Sequence, residues 1–266
     1  MYIVAERINS SRKSIYKAIE EKDNEFIQNE AINQTNAGAD YIDVNAGLFA
    51  AKEADYLAWL VDTVQEATSL PLCIDSPNPE AIKAVLPRVD KTPMINSITL
   101  EKERFDFLLP LILERSCKII GLCQSDEKAA QNTTEKTDMA RELITKLTVA
   151  GVPEDDIFID PLVFPLATNI ESSKSTLDAF MTIRKNFPKV HLICGLTNVS
   201  FGLPQRKLIN RAFLVASIVM GLDGAIIDPT DRKLMASLKA GVLINGMDPF
   251  SRGYINAFRN GLLENV

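Results

Sequence analysis

The sequence predicts a single-domain α/β protein of the (β/α)8, or TIM-barrel, class. Three observations point there. Short β-like runs alternate with longer amphipathic segments. Eight such runs can be found, each followed by a helical stretch. The chain has 266 residues, ample for one barrel spanning 1–266. A doubly wound open sheet competes for the same alternation. It normally carries a glycine-rich turn after the first strand, and Ala5-Glu6-Arg7-Ile8-Asn9-Ser10-Ser11 has none.

Taken in order, the strands are expected at Tyr2–Glu6, Tyr41–Asn45, Leu72–Ser76, Pro93–Ser97, Lys118–Cys123, Ile157–Asp160, His191–Gly195 and Gly224–Asp228. Helices are expected at Asp55–Thr68, Pro79–Pro87, Lys102–Ser116, Thr133–Ala150 and Ser175–Phe187. Leu57, Leu60, Val61 and Val64 recur at helical spacing in the first of these. Pro79, Pro204 and Pro229 mark helix starts, where a missing N–H costs nothing. The polar stretch Gln124–Asp138 reads as a long loop after the fifth strand. No linker or low-complexity tract interrupts the pattern.

Composition narrows the function classes. Apolar residues make up 46% and charged residues 24%, ordinary for a globular protein. The net charge of −6, with no basic stripe, argues against nucleic-acid binding. The longest apolar run, Ala212–Leu222, is too short to span a bilayer, so no membrane role is expected. The start of the chain lacks a secretory pattern. Cys73, Cys117, Cys123 and Cys194 lie singly in apolar runs and read as buried thiols of a cytoplasmic protein.

The strand ends carry the chemistry. Glu6, Asp43 and Asn45, Asp75, Asn96, Asp160, then Thr197 and Asn198 close six of the eight strands. Alternation places Cys73 with Asp75, Met94 with Asn96, and Phe158 with Asp160 on shared faces. If those faces point inward, carboxylates and amides crown the C-terminal mouth, where barrel enzymes hold their sites. Each such residue could instead cap a helix or shape a turn, and Asp75-Ser76-Pro77 resembles ordinary turn chemistry. Capping does not require six strands to do so together, and buried carboxylates need donors. A flat heterocycle bearing N–H and amino groups, such as a pterin, would supply them to Asp75 and Asp160. Asn96 and Asn198 can both donate and accept.

The segments MYIVAERIN, YIDVNAG, LCIDS, MINSI, FIDPL, GLTNVSFGLP and LINRAFL, in this order, resemble the pterin-binding methyltransferase family. That family includes the methyltetrahydrofolate:corrinoid protein methyltransferases and the folate domain of cobalamin-dependent methionine synthase. The resemblance implies a TIM barrel, usually a homodimer, that binds (methyl)tetrahydrofolate at its C-terminal face. It implies Asp75, Asn96 and Asp160 as pterin ligands. Gly195, Thr197 and Asn198 would line the pocket near N5, with Arg206 and Ile226 nearby. The expected reaction moves a methyl group between N5 and the cobalt of a corrinoid, in a direction the sequence leaves open. Asn198 is the expected catalytic residue, hydrogen-bonding N5 as charge develops. No Asp-x-His-x-x-Gly cobalamin motif is present, so the corrinoid is expected on a partner protein. The Gln124–Asp138 loop and the barrel rim are candidate docking surfaces. Arg206, Lys207 and Arg211 are candidates for the folate glutamate tail.

Other chemistries fit less well. The sole histidine, His191, sits inside a strand and reads as a core or helix-facing side chain. His191 and Cys194 are three apart on that strand and point to opposite faces, so no catalytic metal is expected. A dihydropteroate synthase-like enzyme relies on a Lys and an Arg near strands seven and eight, where this chain has Thr197-Asn198 and Ile227-Asp228-Pro229. A non-catalytic pterin-binding subunit is the third reading. Two adjoining apolar stripes, Leu208/Ala212/Val215/Val219 and Ile209/Phe213/Ala216/Met220, agree with a homodimer.

Overall fold

The structure is a computed structural model and describes residues 1–263. The chain opens with β1 (Tyr2–Asn9), α1 (Lys13–Glu21), α2 (Asn24–Asn36) and β2 (Tyr41–Asn45). Then come α3 (Glu53–Ala67), β3 (Leu72–Asp75), α4 (Pro79–Val85), β4 (Met94–Ile98), α5 (Lys102–Arg115) and β5 (Lys118–Leu122). These are followed by α6 (Thr133–Val149), β6 (Ile157–Asp160), α7 (Ser172–Asn186) and β7 (His191–Leu192). The last elements are α8 (Arg206–Val219), β8 (Gly224–Ile227), α9 (Arg232–Ile244) and α10 (Arg252–Arg259).

All strand pairs are parallel, in the order β7-β6-β5-β4-β3-β2-β1-β8. Past β7, Gly195 bridges Ile226, and Ile226 N–H donates to the Cys194 carbonyl at 3.0 Å, which closes the barrel. The predicted architecture and all eight strands are therefore present. Strand seven is regular over only two residues, because the chain beyond it bends toward the mouth. β1 runs three residues past Glu6, through an irregularity between Ala5 and Ile8.

Alternation along each strand divides the core in two. Val4, Tyr41, Cys73, Met94, Ile120, Phe158 and Ile193 face inward and fill the barrel. Ile3, Ala5, Ile42, Val44, Ile74, Ile95, Ile119, Ile159, Leu192, Ala225 and Ile227 face outward and pack beneath the helices. Along β3, β4 and β6 the inner positions Cys73, Met94 and Phe158 are apolar, so the polar side chains two residues further on emerge toward the C-terminal mouth.

Two helices, α1 and α2, lie between β1 and β2. Helix α2 buries only Ile27, Ala31 and Gln34, a stripe too narrow to stand out in the sequence. The polar stretch after β5 divides. Gln124 to Asn132 is irregular, and Asn132 caps α6 by accepting from Glu135 N–H at 3.0 Å. Thr133–Asp138 belongs to the first turns of that helix, so the loop is shorter than expected, and Lys136 within it is fully buried. The stripes on α8 separate: Phe213, with Leu214 and Ile218, packs inward, whereas Leu208 and Val219 stay exposed.

Candidate functional site

The helix caps are Asn78 for α4, Glu101 for α5, Glu171 for α7 and Asp231 for α9. Asp75, Asn96 and Asp160 are none of these, so capping does not explain them. All three lie on inward-facing rows, Asp75 and Asn96 on the adjacent β3 and β4 and Asp160 on β6, with Asp75 in register with Asn96 and with Asn45.

Asn45 Nδ2 donates to Asp75 Oδ2 at 2.8 Å, while Asn45 Oδ1 accepts from Ser10 Oγ and Gly47 N–H. One oxygen of Asp75 is thus fixed by Asn45, and the residue lines a cavity at the mouth. Behind these strand ends, Arg104 donates to the carbonyls of Ser76 at 2.9 Å, Pro77 at 2.7 Å and Ser97 at 2.7 Å. It ties the residues after Asp75 to those after Asn96. Burial pushes Asp75 up to about 6, against the Asn45 hydrogen bond.

Asp160 is buried, and burial pushes it too up to about 6. Its Oδ1 accepts Leu162 N–H at 2.7 Å and its Oδ2 accepts Gly195 N–H at 3.4 Å. Deeper still, Asp43 is pushed well above the usual carboxylate range, first by burial and then by Asp75, and its Oδ1 has no partner. Glu6 rises to about 7 through burial, although Arg12 donates to it at 3.3 Å. The mouth is therefore rich in acceptors with raised proton affinity, and a donor-rich ligand suits it.

Thr197 and Asn198 lie on a short 3-10 turn, Leu196–Ser200, directly after the closing bridge. Asn198 is exposed at the mouth. A Cβ on Gly195 would stand 3.1 Å from Asn198 Nδ2, so the glycine makes room for the amide. Arg206 donates to Thr197 O at 2.8 Å and to Ser200 Oγ at 3.1 Å, and lies against the Phe201 ring. The structure thus places Arg206 as a fastener of the turn. Lys207 pairs with Asp231 at 3.3 Å, and Arg211 donates to Lys207 O. Ile226 is half-buried in the barrel wall opposite Gly195.

A cavity of about 450 Å3 opens beside Asp75 and Asn96, also lined by Arg104, Leu122 and Gln124. Its size lies within the roughly 300–1,000 Å3 of small-molecule sites. Gln124 carries a signal in the sequence, since it continues the inward parity of Ile120 and Leu122 beyond the strand. Arg104 was not legible, since it reaches the mouth from a helix.

His191 sits at the opposite, N-terminal end of the barrel. Its ring stacks on Phe158 at 4.6 Å and meets Tyr2 edge-on, and Nδ1 shares a hydrogen bond with Asp223 at 2.8 Å. It faces into the barrel floor rather than a helix, while Cys194 points to the outer core. Among the described residues no three His, Cys, Asp or Glu side chains are grouped to hold a metal ion, and no helix is long and apolar enough to cross a membrane.

Comparison with known proteins gives these features a context. The chain is 39% identical over its full length to the methylcorrinoid:tetrahydrofolate methyltransferase of Eubacterium limosum, covering 99% of that protein. It is 29% identical over 85% of its length to methionine synthase of Mycobacterium tuberculosis, where the match covers 20% of the larger protein. Among solved structures it superposes on dihydropteroate synthase of Xanthomonas albilineans with a TM-score of 0.67 at 14% identity, covering 91% of this chain and 92% of that one. Dihydropteroate synthase of Yersinia pestis gives 0.67 at 13%, covering 92% and 93%. At such identities these structures share the fold alone. The model of the pterin binding enzyme family matches residues 5–228, from β1 to the end of β8, and the chain belongs to that family.

Proposed function

We propose that this protein is a methyltransferase that moves a methyl group between N5 of tetrahydrofolate and the cobalt of a corrinoid held by a partner protein. One observation carries the reading: Asp75 and Asn96 stand in register and line one cavity at the mouth of a barrel whose sequence is 39% identical, end to end, to a methylcorrinoid:tetrahydrofolate methyltransferase, and Asp160 ends β6 at the same rim. In this reading Asp75 and Asp160 accept the ring N–H and amino donors, and Asn96 bridges donor and acceptor positions beside them. Thr197 and Gly195 border N5, and Asn198 donates to it or accepts from it. The partner's corrinoid supplies the methyl group's other station.

The name of the Eubacterium limosum relative runs from methylcorrinoid to tetrahydrofolate, and we take that direction here. N5 then gives up a proton as it gains the methyl group. Glu6, raised to about 7 and so partly ionised at neutral pH, is the carboxylate at hand to take it through water. The test mixes the protein with methylated corrinoid and tetrahydrofolate and follows the corrinoid spectrum for demethylation. An unchanged spectrum together with stoichiometric folate binding would favour a non-catalytic pterin-binding subunit.

The protein is further proposed to act in the cytoplasm, a reading supported by four buried free thiols, and as a homodimer. Support for the dimer comes from Leu208, 62% exposed, and Val219, 47% exposed, on the outer stripe of α8. A dimer is expected in sedimentation at micromolar concentration, and Leu208→Glu is expected to shift it toward monomer. Wild-type protein sedimenting as a monomer would remove this part of the proposal.

A further inference from the structure

No part of the Lys136 side chain reaches solvent. Its ammonium, on α6, donates to the carbonyls of Pro161 at 2.7 Å and Leu162 at 2.5 Å, and lies 5.3 Å over the Phe164 ring. Burying an ammonium is costly, and an apolar side chain of similar volume would fill the same space. The cost makes sense only if the two carbonyls matter. Both belong to the turn that directly follows Asp160. Within that turn Leu162 has φ of +65°, a left-handed conformation that a branched residue rarely adopts. The N–H of this same Leu162 holds Asp160 Oδ1. Thr176 Oγ1, from α7, adds a donor to the Leu162 carbonyl at 3.0 Å.

We propose that Lys136 is a positioning residue for Asp160: from behind the sheet it fastens the Pro161–Leu162 turn, and the turn aims the carboxylate at the pterin edge. The inference rests on Asp160 being a pterin ligand, as proposed above. Charge supports the geometry. The titratable groups near enough to feel the charge of Asp160 are Lys136 from α6, the Cys123 thiol beyond β5 and the Cys194 thiol beyond β7. Burial pushes both thiols up, so they remain neutral at physiological pH. Lys136 is the positive charge that favours ionised Asp160, the form that a ring N–H donor needs.

The experiment titrates tetrahydrofolate into wild-type protein, Lys136→Met, Thr176→Val and Asp160→Asn by calorimetry across the acid-to-neutral range. Lys136→Met is expected to bind about tenfold more weakly or worse, and the acidic fall-off in its binding should move to higher pH because the cation is gone. Thr176→Val keeps the charge and loses one donor to the same carbonyl. It should weaken binding less and leave the fall-off in place. A general packing defect would lower the melting temperature without moving that fall-off. Folded Lys136→Met with wild-type affinity and an unmoved profile overturns the proposal. If Lys136→Met does not fold, wild-type affinity in Thr176→Val overturns it instead. Wild-type affinity in Asp160→Asn overturns the site reading, and the role of Lys136 with it.

Discussion

Asn198→Ala is expected to slow methyl transfer by about a hundredfold, roughly 3 kcal/mol of barrier, while tetrahydrofolate affinity changes by only about threefold. The asymmetry follows from where the amide sits. Asn198 is exposed at the mouth on the Leu196–Ser200 turn, whereas Asp160, proposed to hold the ring, is buried. That turn is rigid: Arg206 holds two of its oxygens, and Leu166 N–H donates to Val199 O at 3.0 Å. A preorganised amide adds little to ground-state binding and more to a transition state in which N5 changes charge. Gly195 keeps the space open, with only 3.1 Å between a Cβ there and Asn198 Nδ2. Single-turnover rates measured beside equilibrium binding separate the two effects. If rate and affinity fall by the same factor, Asn198 is a binding residue and nothing more.

The second large effect concerns pH. Asp75 and Asp160 are each pushed up to about 6 in the folded protein by burial. In the proposed role as acceptors of ring N–H groups, both must be ionised when folate binds. Above about pH 6 the affinity should be flat. Below it, each carboxylate must lose a proton on binding, and affinity should fall by up to about tenfold per pH unit for each, so about a hundredfold for the pair. Free-protein stability runs the other way. A carboxyl group whose folded value lies above its unfolded one contributes stability that is complete below the unfolded value and is lost as pH rises through about 6. The melting-temperature increase caused by tetrahydrofolate should therefore grow from pH 5 to pH 7, windows set by these two groups at about 6. Asp160→Asn should halve the slope of the binding profile. A profile without slope over that interval would remove both aspartates from the contact.

The acidic mouth also explains why one polar residue per strand was readable and its supports were not. Asp75, Asn96 and Asp160 follow apolar residues of the same parity, Cys73, Met94 and Phe158, and all three of those fill the barrel interior. The period of two therefore carries the inward assignment from core to rim without tertiary information. Gln124 obeys the same parity with Ile120. Arg104 and Lys136 do not: they sit on α5 and α6, and reach strand-end carbonyls from outside the sheet. In the sequence Lys136 belongs to a polar run and reads as solvent-exposed. Only the docking of α6 against the turn after β6 buries it.

By itself the sequence determined the eight-strand alternation, the inward rows of β3, β4 and β6 and the acidic or amide residue that ends each of those three. These depend on backbone periodicity and on the cost of exposing apolar side chains, both local properties of the chain. Tertiary structure alone decided which oxygen of Asp75 is occupied, that Arg206 braces a turn, that His191 stacks in the barrel floor, and that Lys136 lies under Asp160. Each depends on how far a side chain reaches across to another element, and that distance exists only once helices and strands have packed together.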